Sequence, residues 1–265
     1  MIEGFLEEAA LPAFEGQLVG LIAPHAGYIY SGLTAAHAFK ALLGRQFARV
    51  ILLSPSHQPY RQPLLTTSHD AYSTPLGLVP VDREALARLN ELLKESNGVE
   101  LAAVRRDQEH SLEIELPFLQ VTQPNGFWLV PLMMVDQSAS MARLLSAALL
   151  KLIQSFPPKE NALLLASSDL SHFYSERAAN RLDGNLADAL QEFDLNAFYQ
   201  RKQHGEMEAC GFAPMATVLQ TSRLLGAEQV TLADYRTSAT VTGDRSSVVG
   251  YLSAIISTGK ADLYA

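Results

Sequence analysis

The chain has 265 residues, and 28 Asp and Glu against 20 Lys and Arg give it a formal charge of −8. With pI near 5.4 it has no basic stripe to neutralise phosphates, which argues against nucleic acid and anionic membrane surfaces as partners. Hydrophobic residues at 48% and charged residues at 18% are ordinary globular usage, so the chain can bury a core and is not disordered. No apolar stretch approaches the ~18 residues a membrane helix needs, and Met1-Ile2-Glu3-Gly4-Phe5 lacks the basic segment that opens a signal peptide. A single cysteine, Cys210, leaves no intramolecular disulfide and fits a reducing compartment. The expectation is a soluble cytoplasmic protein.

In chain order, residues 18–23 read as a strand, with Leu21-Ile22-Ala23 running into Pro24-His25-Ala26-Gly27-Tyr28. A helix over 32–43 comes next, with His37 among alanines and read as a packed core histidine. A second strand, 50–54, runs into Pro55-Ser56-His57. Asp82 is placed to cap a helix over 83–96, since its carboxylate can accept from otherwise unpaired amides. A strand at 127–132 is followed by a helix over 138–156 with Ser138 as its cap. The Pro157-Pro158 break then leads to a strand at 162–167, which runs into Ser168-Asp169-Leu170-Ser171-His172. Helices at 175–193 and 212–225 and strands at 229–234 and 247–256 complete the series. Continuous apolar strands alternating with helices of three- to four-residue period predict an α/β fold, and no linker divides residues 1–265, so one domain is expected.

Three strands therefore each deliver a histidine just beyond their ends. In parallel sheets the crevice outside the carboxyl ends of the strands is where ligands bind, so His25, His57 and His172 are candidates to share one pocket. Cys210, in Ala209-Cys210-Gly211-Phe212-Ala213-Pro214, precedes a helix whose free amides would favour the thiolate. Two imidazoles and one thiolate make a three-ligand site with open positions, and their softness favours iron, copper or zinc over magnesium or calcium. His172 is then free to serve as acid or base, and Asp169 to orient an imidazole. Walker, Gly-x-Gly-x-x-Gly and Gly-x-Ser-x-Gly motifs are absent, which argues against the common nucleotide-binding and hydrolase plans. His69 is assigned no role, and His204, six residues before Cys210, reads as a solvent-exposed loop residue, with a place behind the metal ligands as the alternative.

Taken in order, Ala23-Pro24-His25-Ala26-Gly27-Tyr28, Ser54-Pro55-Ser56-His57, Tyr72-Ser73-Thr74-Pro75-Leu76-Gly77, Glu109-His110-Ser111-Leu112-Glu113, Ser168-Asp169-Leu170-Ser171-His172, Cys210-Gly211 and the run from Thr242 to Tyr251 resemble the Memo family, similar in turn to class III extradiol ring-cleaving dioxygenases. The resemblance spans nearly the whole chain. It implies a single three-layer α/β domain with a largely parallel or mixed central sheet. His25, His57 and Cys210 match metal-binding positions, and His172 matches the acid/base histidine of the dioxygenases. The implied cofactor is a divalent transition metal, iron first, with copper or zinc as alternatives, acting on an unknown small-molecule substrate. Bacterial and archaeal members of this resemblance are associated with a radical-SAM protein and another small protein, the AmmeMemoRadiSam set. Glu109 and His110 belong to the same pattern as pocket residues, while Glu113 and Glu115 read as a solvated helix face. Asp244 either closes the site from the last loop or is an ordinary turn residue after Gly243.

One departure separates the chain from the ring-cleaving enzymes: a thiol, Cys210, stands where they have a carboxylate, which changes charge donation to a metal and exposes the ligand to oxidation. Phe212-Ala213-Pro214 also lacks the basic residues that come after Cys-Gly in animal relatives. Three functions are open to these residues: a metal-dependent redox enzyme, a metal-independent enzyme with Cys210 as nucleophile, and a non-catalytic binding or scaffold protein.

Overall fold

The computed structural model describes residues 1–106 and 109–259. The expected domain runs to residue 265, and residues 107–108 and 260–265 lie outside the described residues. In chain order the elements are α1 (Ile2–Glu8), β1 (Leu18–Ala23), α2 (Tyr28–Phe39), β2 (Arg49–Pro55), β3 (Leu64–Thr67), β4 (Ala71–Thr74), β5 (Gly77–Pro80), α3 (Arg83–Asn97) and β6 (Ala102–Val104). They continue as α4 (Leu116–Thr122), β7 (Trp128–Met134), α5 (Ala139–Ser155), β8 (Ala162–Ser167), β9 (His172–Tyr174), α6 (Glu176–Glu192), α7 (Leu195–Gln203), α8 (Phe212–Leu224), β10 (Ala227–Thr237), α9 (Ala239–Thr242) and β11 (Val248–Thr258).

One sheet runs through the centre in the order β10-β11-β1-β8-β2-β7-β3-β6, with β9 paired to β11. Its middle, β1-β8-β2-β7, is parallel. Outside it the direction reverses: β11 is antiparallel to both β1 and β10, and β3 is antiparallel to β7. Successive residues of the central strands face opposite sides. Ile22, Ile51, Leu53, Val130 and Leu132 enter a core with Leu89 of α3, Leu149 of α5 and Val218 of α8. Leu21, Val50, Leu52, Leu129 and Leu165 enter a second core with Phe39 of α2 and Phe118 of α4. Helices thus cover both faces of a mixed sheet, and the chain forms the single α/β domain expected.

The expected caps are present. Asp82 accepts from the Ala85 amide at 2.9 Å and Ser138 Oγ from the Met141 amide at 3.2 Å. The helix expected at 32–43 starts at Tyr28 instead and passes at Lys40 into a 3₁₀ turn. Ile29 and Tyr30 in its first turn are exposed, at 61% and 38%, so the apolar periodicity that marks the helix begins only beyond them. The short elements β3 to β6, β9, α1, α4, α7 and α9 were not expected either. Most are too brief to show a period. No helix of the described residues is long and apolar enough to cross a membrane.

Candidate metal centre

β1, β8 and β2 are adjacent and parallel, so the loops leaving their carboxyl ends meet at one edge of the sheet. His25 lies just past β1, Ser168 and Asp169 just past β8, and His57 just past β2. Cys210 arrives on the loop into α8, and its backbone amide donates to Asp169 O at 3.2 Å. Gly211 permits that approach: a Cβ there would collide with Ser167 O and the Ser168 side chain. The Gly211 amide instead donates to Ser168 Oγ at 2.9 Å.

His25, His57 and Cys210 each offer a ligand atom, and these atoms lie within 4.8 Å of one another. Cys210 Sγ is 3.2 Å from His25 Nε2. Two ligands bound at 2.0–2.3 Å to one tetrahedral ion stand roughly 3.5 Å apart, so the donor set fits a transition metal. The rear nitrogen of each imidazole is held. His57 Nδ1 lies 2.9 Å from Glu109 Oε1, and the His57 amide donates to Glu109 Oε2 at 2.5 Å. This is a carboxylate–histidine arrangement that fixes the ring and raises its basicity. The hydrogen bond to Glu109 holds the His57 pKa above its usual value. Burial favours neutral Glu109, but hydrogen bonds from His57 and Ser111 outweigh it and bring the carboxyl down to about 2.

The tautomer of His25 is fixed by the hydrogens around Ser167. Its Oγ lies 2.6 Å from Ser111 O, 2.8 Å from Glu115 Oε1 and 2.9 Å from His25 Nδ1. A hydroxyl has one hydrogen, and the Ser111 carbonyl can only accept, so that hydrogen goes to Ser111. His25 Nδ1–H and a protonated Glu115 then both donate to Ser167, which leaves the Nε2 lone pair of His25 facing Cys210. Burial, the largest cause, pushes His25 down to about 4 and Glu115 well above the usual carboxyl range. Glu115 is 1% exposed, so the solvated helix face expected for it is corrected: the 3₁₀ turn at Glu113–Glu115 directs it inward, under the strand end.

A neutral Glu115 has a measurable consequence. The native state keeps a proton that the unfolded chain releases above about pH 4.5, so this residue's contribution is complete in acid and declines as pH rises toward its native pKa. The decline approaches ~1.4 kcal/mol per pH unit for one proton. Glu115→Gln keeps a donor to Ser167 and cannot ionise. Urea unfolding between pH 5 and 8 should therefore give a shallower pH slope for Glu115→Gln than for the parent; equal slopes would contradict a neutral Glu115.

The thiol differs from expectation. Burial first, then the Asp169 carboxylate, pushes Cys210 up to about 12, so the metal-free sulfur is a thiol and not the helix-stabilised thiolate expected. The reason is positional: Cys210 precedes the α8 N-cap, Gly211, and lies buried beside the Asp169 carboxylate, which together outweigh the Asp169 amide that donates to the sulfur at 3.2 Å. Asp169 faces the His25 ring, its Oδ2 3.9 Å from Nε2, and also holds the backbone. Its Oδ1 accepts the His25 and Ala26 amides at 2.8 and 3.2 Å, fixing the backbone that carries the ligand. Ser167 and Glu109 orient the rings. The sequence gives no sign of a role for Ser167, nor of its contact with Glu115. Both residues lie within or beside recognisable motifs, yet only the sheet order reveals that they meet.

His110 does join the cluster, its ring stacked on His57 at 5.8 Å and edge-on to His25 at 6.1 Å. Among the described residues, His172 makes no ring contact or hydrogen bond to His25, His57 or Cys210; its Nδ1 donates to Leu170 O at 2.8 Å and its ring meets Phe173. Asp244 is exposed and its carboxylate is taken up within its own turn by Ser246, after Gly243 at φ +74. His204 is exposed at the end of α7, near Glu206. His37 is buried as expected, and bonds the Ala10 carbonyl at 2.9 Å.

Fold and site define an α/β protein with a two-histidine, one-cysteine group able to hold a metal ion. The family profile described as Memo-like protein matches residues 1–255, and the chain belongs to the Memo family. It is 36% identical over 234 residues to a MEMO1 family protein of Nitrosopumilus maritimus, covering 88% of this chain and 82% of that one. A MEMO1 family protein of Thermotoga neapolitana is 36% identical over 241 residues, 90% and 83% of the two chains. One from Methanobrevibacter smithii is 33% identical over 248 residues, 92% and 86%.

Proposed function

We propose that the chain is a non-haem metal-dependent redox enzyme whose ion, iron in the first instance, is held by His25, His57 and Cys210. The observation that carries this reading is the convergence of three ligand atoms within 4.8 Å, both imidazoles braced from behind by Ser167 and Glu109. Two neutral nitrogens and one sulfur leave coordination positions open, the plan of a catalytic site. Bound there, a redox-active ion would supply one-electron chemistry and a position for substrate or oxygen.

The protein's own part is positioning and proton control. Glu109 draws the Nδ1 proton of His57 and thereby presents Nε2 forward. Ser167 does the same for His25. Asp169 holds the His25 backbone and donates its amide to the sulfur. His172, tethered through Nδ1 to Leu170 O, keeps Nε2 for a proton and is proposed as acid or base. Association with a radical-SAM protein and another small protein is carried in this proposal by the family resemblance alone.

The alternative of a cysteine nucleophile would use His25 Nε2, 3.2 Å from the sulfur, as its base, and burial works against that pair by pushing the thiol up to about 12 and the imidazole down to about 4. Cobalt(II) titration separates the readings. One equivalent per chain should produce sulfur-to-cobalt charge-transfer absorption that Cys210→Ser removes. Saturation without that band in the parent would exclude Cys210 as a ligand.

A further inference from the structure

The Tyr72-Ser73-Thr74-Pro75 segment takes no part in the metal centre, yet it lines a cavity of about 300 Å³ that His110 also lines. That volume is at the lower end for small-molecule sites, room for a single ring with small substituents. The walls are fixed before any ligand arrives. Tyr28 donates its hydroxyl to Ile114 O at 2.7 Å and sets its ring edge against Phe118 at 5.7 Å. Thr74 Oγ1 donates to Gln120 Oε1 at 2.6 Å, tying the β4–β5 hairpin to α4. Pro75 and Pro117 complete a rigid, largely apolar lining. Tyr28, Pro75 and Pro117 also line a second cavity of about 320 Å³ that reaches Met1 and Ile2, so a substituent has somewhere to go.

Charge narrows the ligand further. Among the described residues no Lys or Arg lines the first cavity, so a carboxylate or phosphate would find no ammonium or guanidinium partner there. His110 is the wall shared with the metal centre, since the same ring stacks on His57. We propose that this cavity binds the aromatic, uncharged or cationic body of a small molecule and presents it to the metal centre past His110. That the bound molecule is a substrate rests on the metal-centre reading; that it binds does not.

Histidine-ring NMR of the full chain without added metal tests the binding, with His110 assigned from His110→Gln. Neutral p-cresol and cationic tyramine should shift the His110 signals saturably and leave His204 unmoved, while anionic 4-hydroxybenzoate should bind at least tenfold more weakly. Ile114→Trp and Ser73→Trp fill the cavity from different walls, and each should weaken p-cresol binding at least tenfold while circular dichroism and cobalt binding stay unchanged. The proposal is overturned if no probe shifts His110, if the anion binds as well as the others, or if both folded, filled variants still bind p-cresol like the parent. Because no metal is added, a failed cobalt titration and a failed ring titration are separate results.

Discussion

Cys210→Ala and His57→Ala should each weaken zinc or ferrous iron binding by roughly a hundredfold or more. Structural zinc is worth about 10–16 kcal/mol over four ligands, so one ligand contributes ~3 kcal/mol, and each 1.4 kcal/mol is tenfold. Glu109→Gln leaves all three ligands in place but removes the carboxylate behind His57, and should cost roughly 10–100-fold. His110→Ala and His172→Ala should bind within a few-fold of the parent, because His110 makes only ring contacts to the group and His172 none. Competition against a chromophoric chelator measures all five variants. Equal losses for His172→Ala and His57→Ala would contradict the division between ligands and proton-handling residues.

Metal binding at pH 7 should release between one and two protons. Cys210, pushed up to about 12, must give up its thiol proton in full. His57, raised by its bond to Glu109, gives up whatever fraction of a proton it still holds. His25, down at about 4, is already neutral and gives none. Affinity should therefore rise with pH, by about tenfold per unit where one proton is released and more steeply in acid, where His57 is charged. Calorimetry in buffers of different ionisation enthalpy counts the protons directly. A count near zero above pH 8 would mean that the sulfur keeps its proton and is not a ligand.

The part of the site legible in the sequence is the part tied to regular structure. Leu21-Ile22-Ala23, Ile51-Leu52-Leu53 and Leu163-Leu164-Leu165 read as buried strands because they are apolar on both faces, and parallel strands bring the loops at their carboxyl ends to a single edge. His25 and His57 can be paired on that ground. His172 is beyond its reach, since it lies five residues past β8, after a turn that pairs it with Val249 of β11. The protonation state of Cys210 is equally hidden, because proximity to a helix start says nothing about burial or about Asp169. Glu115 escapes the sequence for a related reason: in Glu113-Ile114-Glu115 the two carboxylates look alike, and only the 3₁₀ turn sends one to solvent and the other beneath Ser167.

X-ray absorption at the metal edge of the zinc-loaded chain reads the ligands themselves. The arrangement of His25, His57 and Cys210 predicts one sulfur at about 2.3 Å and two imidazole nitrogens at about 2.0–2.1 Å, with the sulfur scatterer lost in Cys210→Ser. A first shell of nitrogen and oxygen alone in the parent, unchanged by Cys210→Ser, would contradict it.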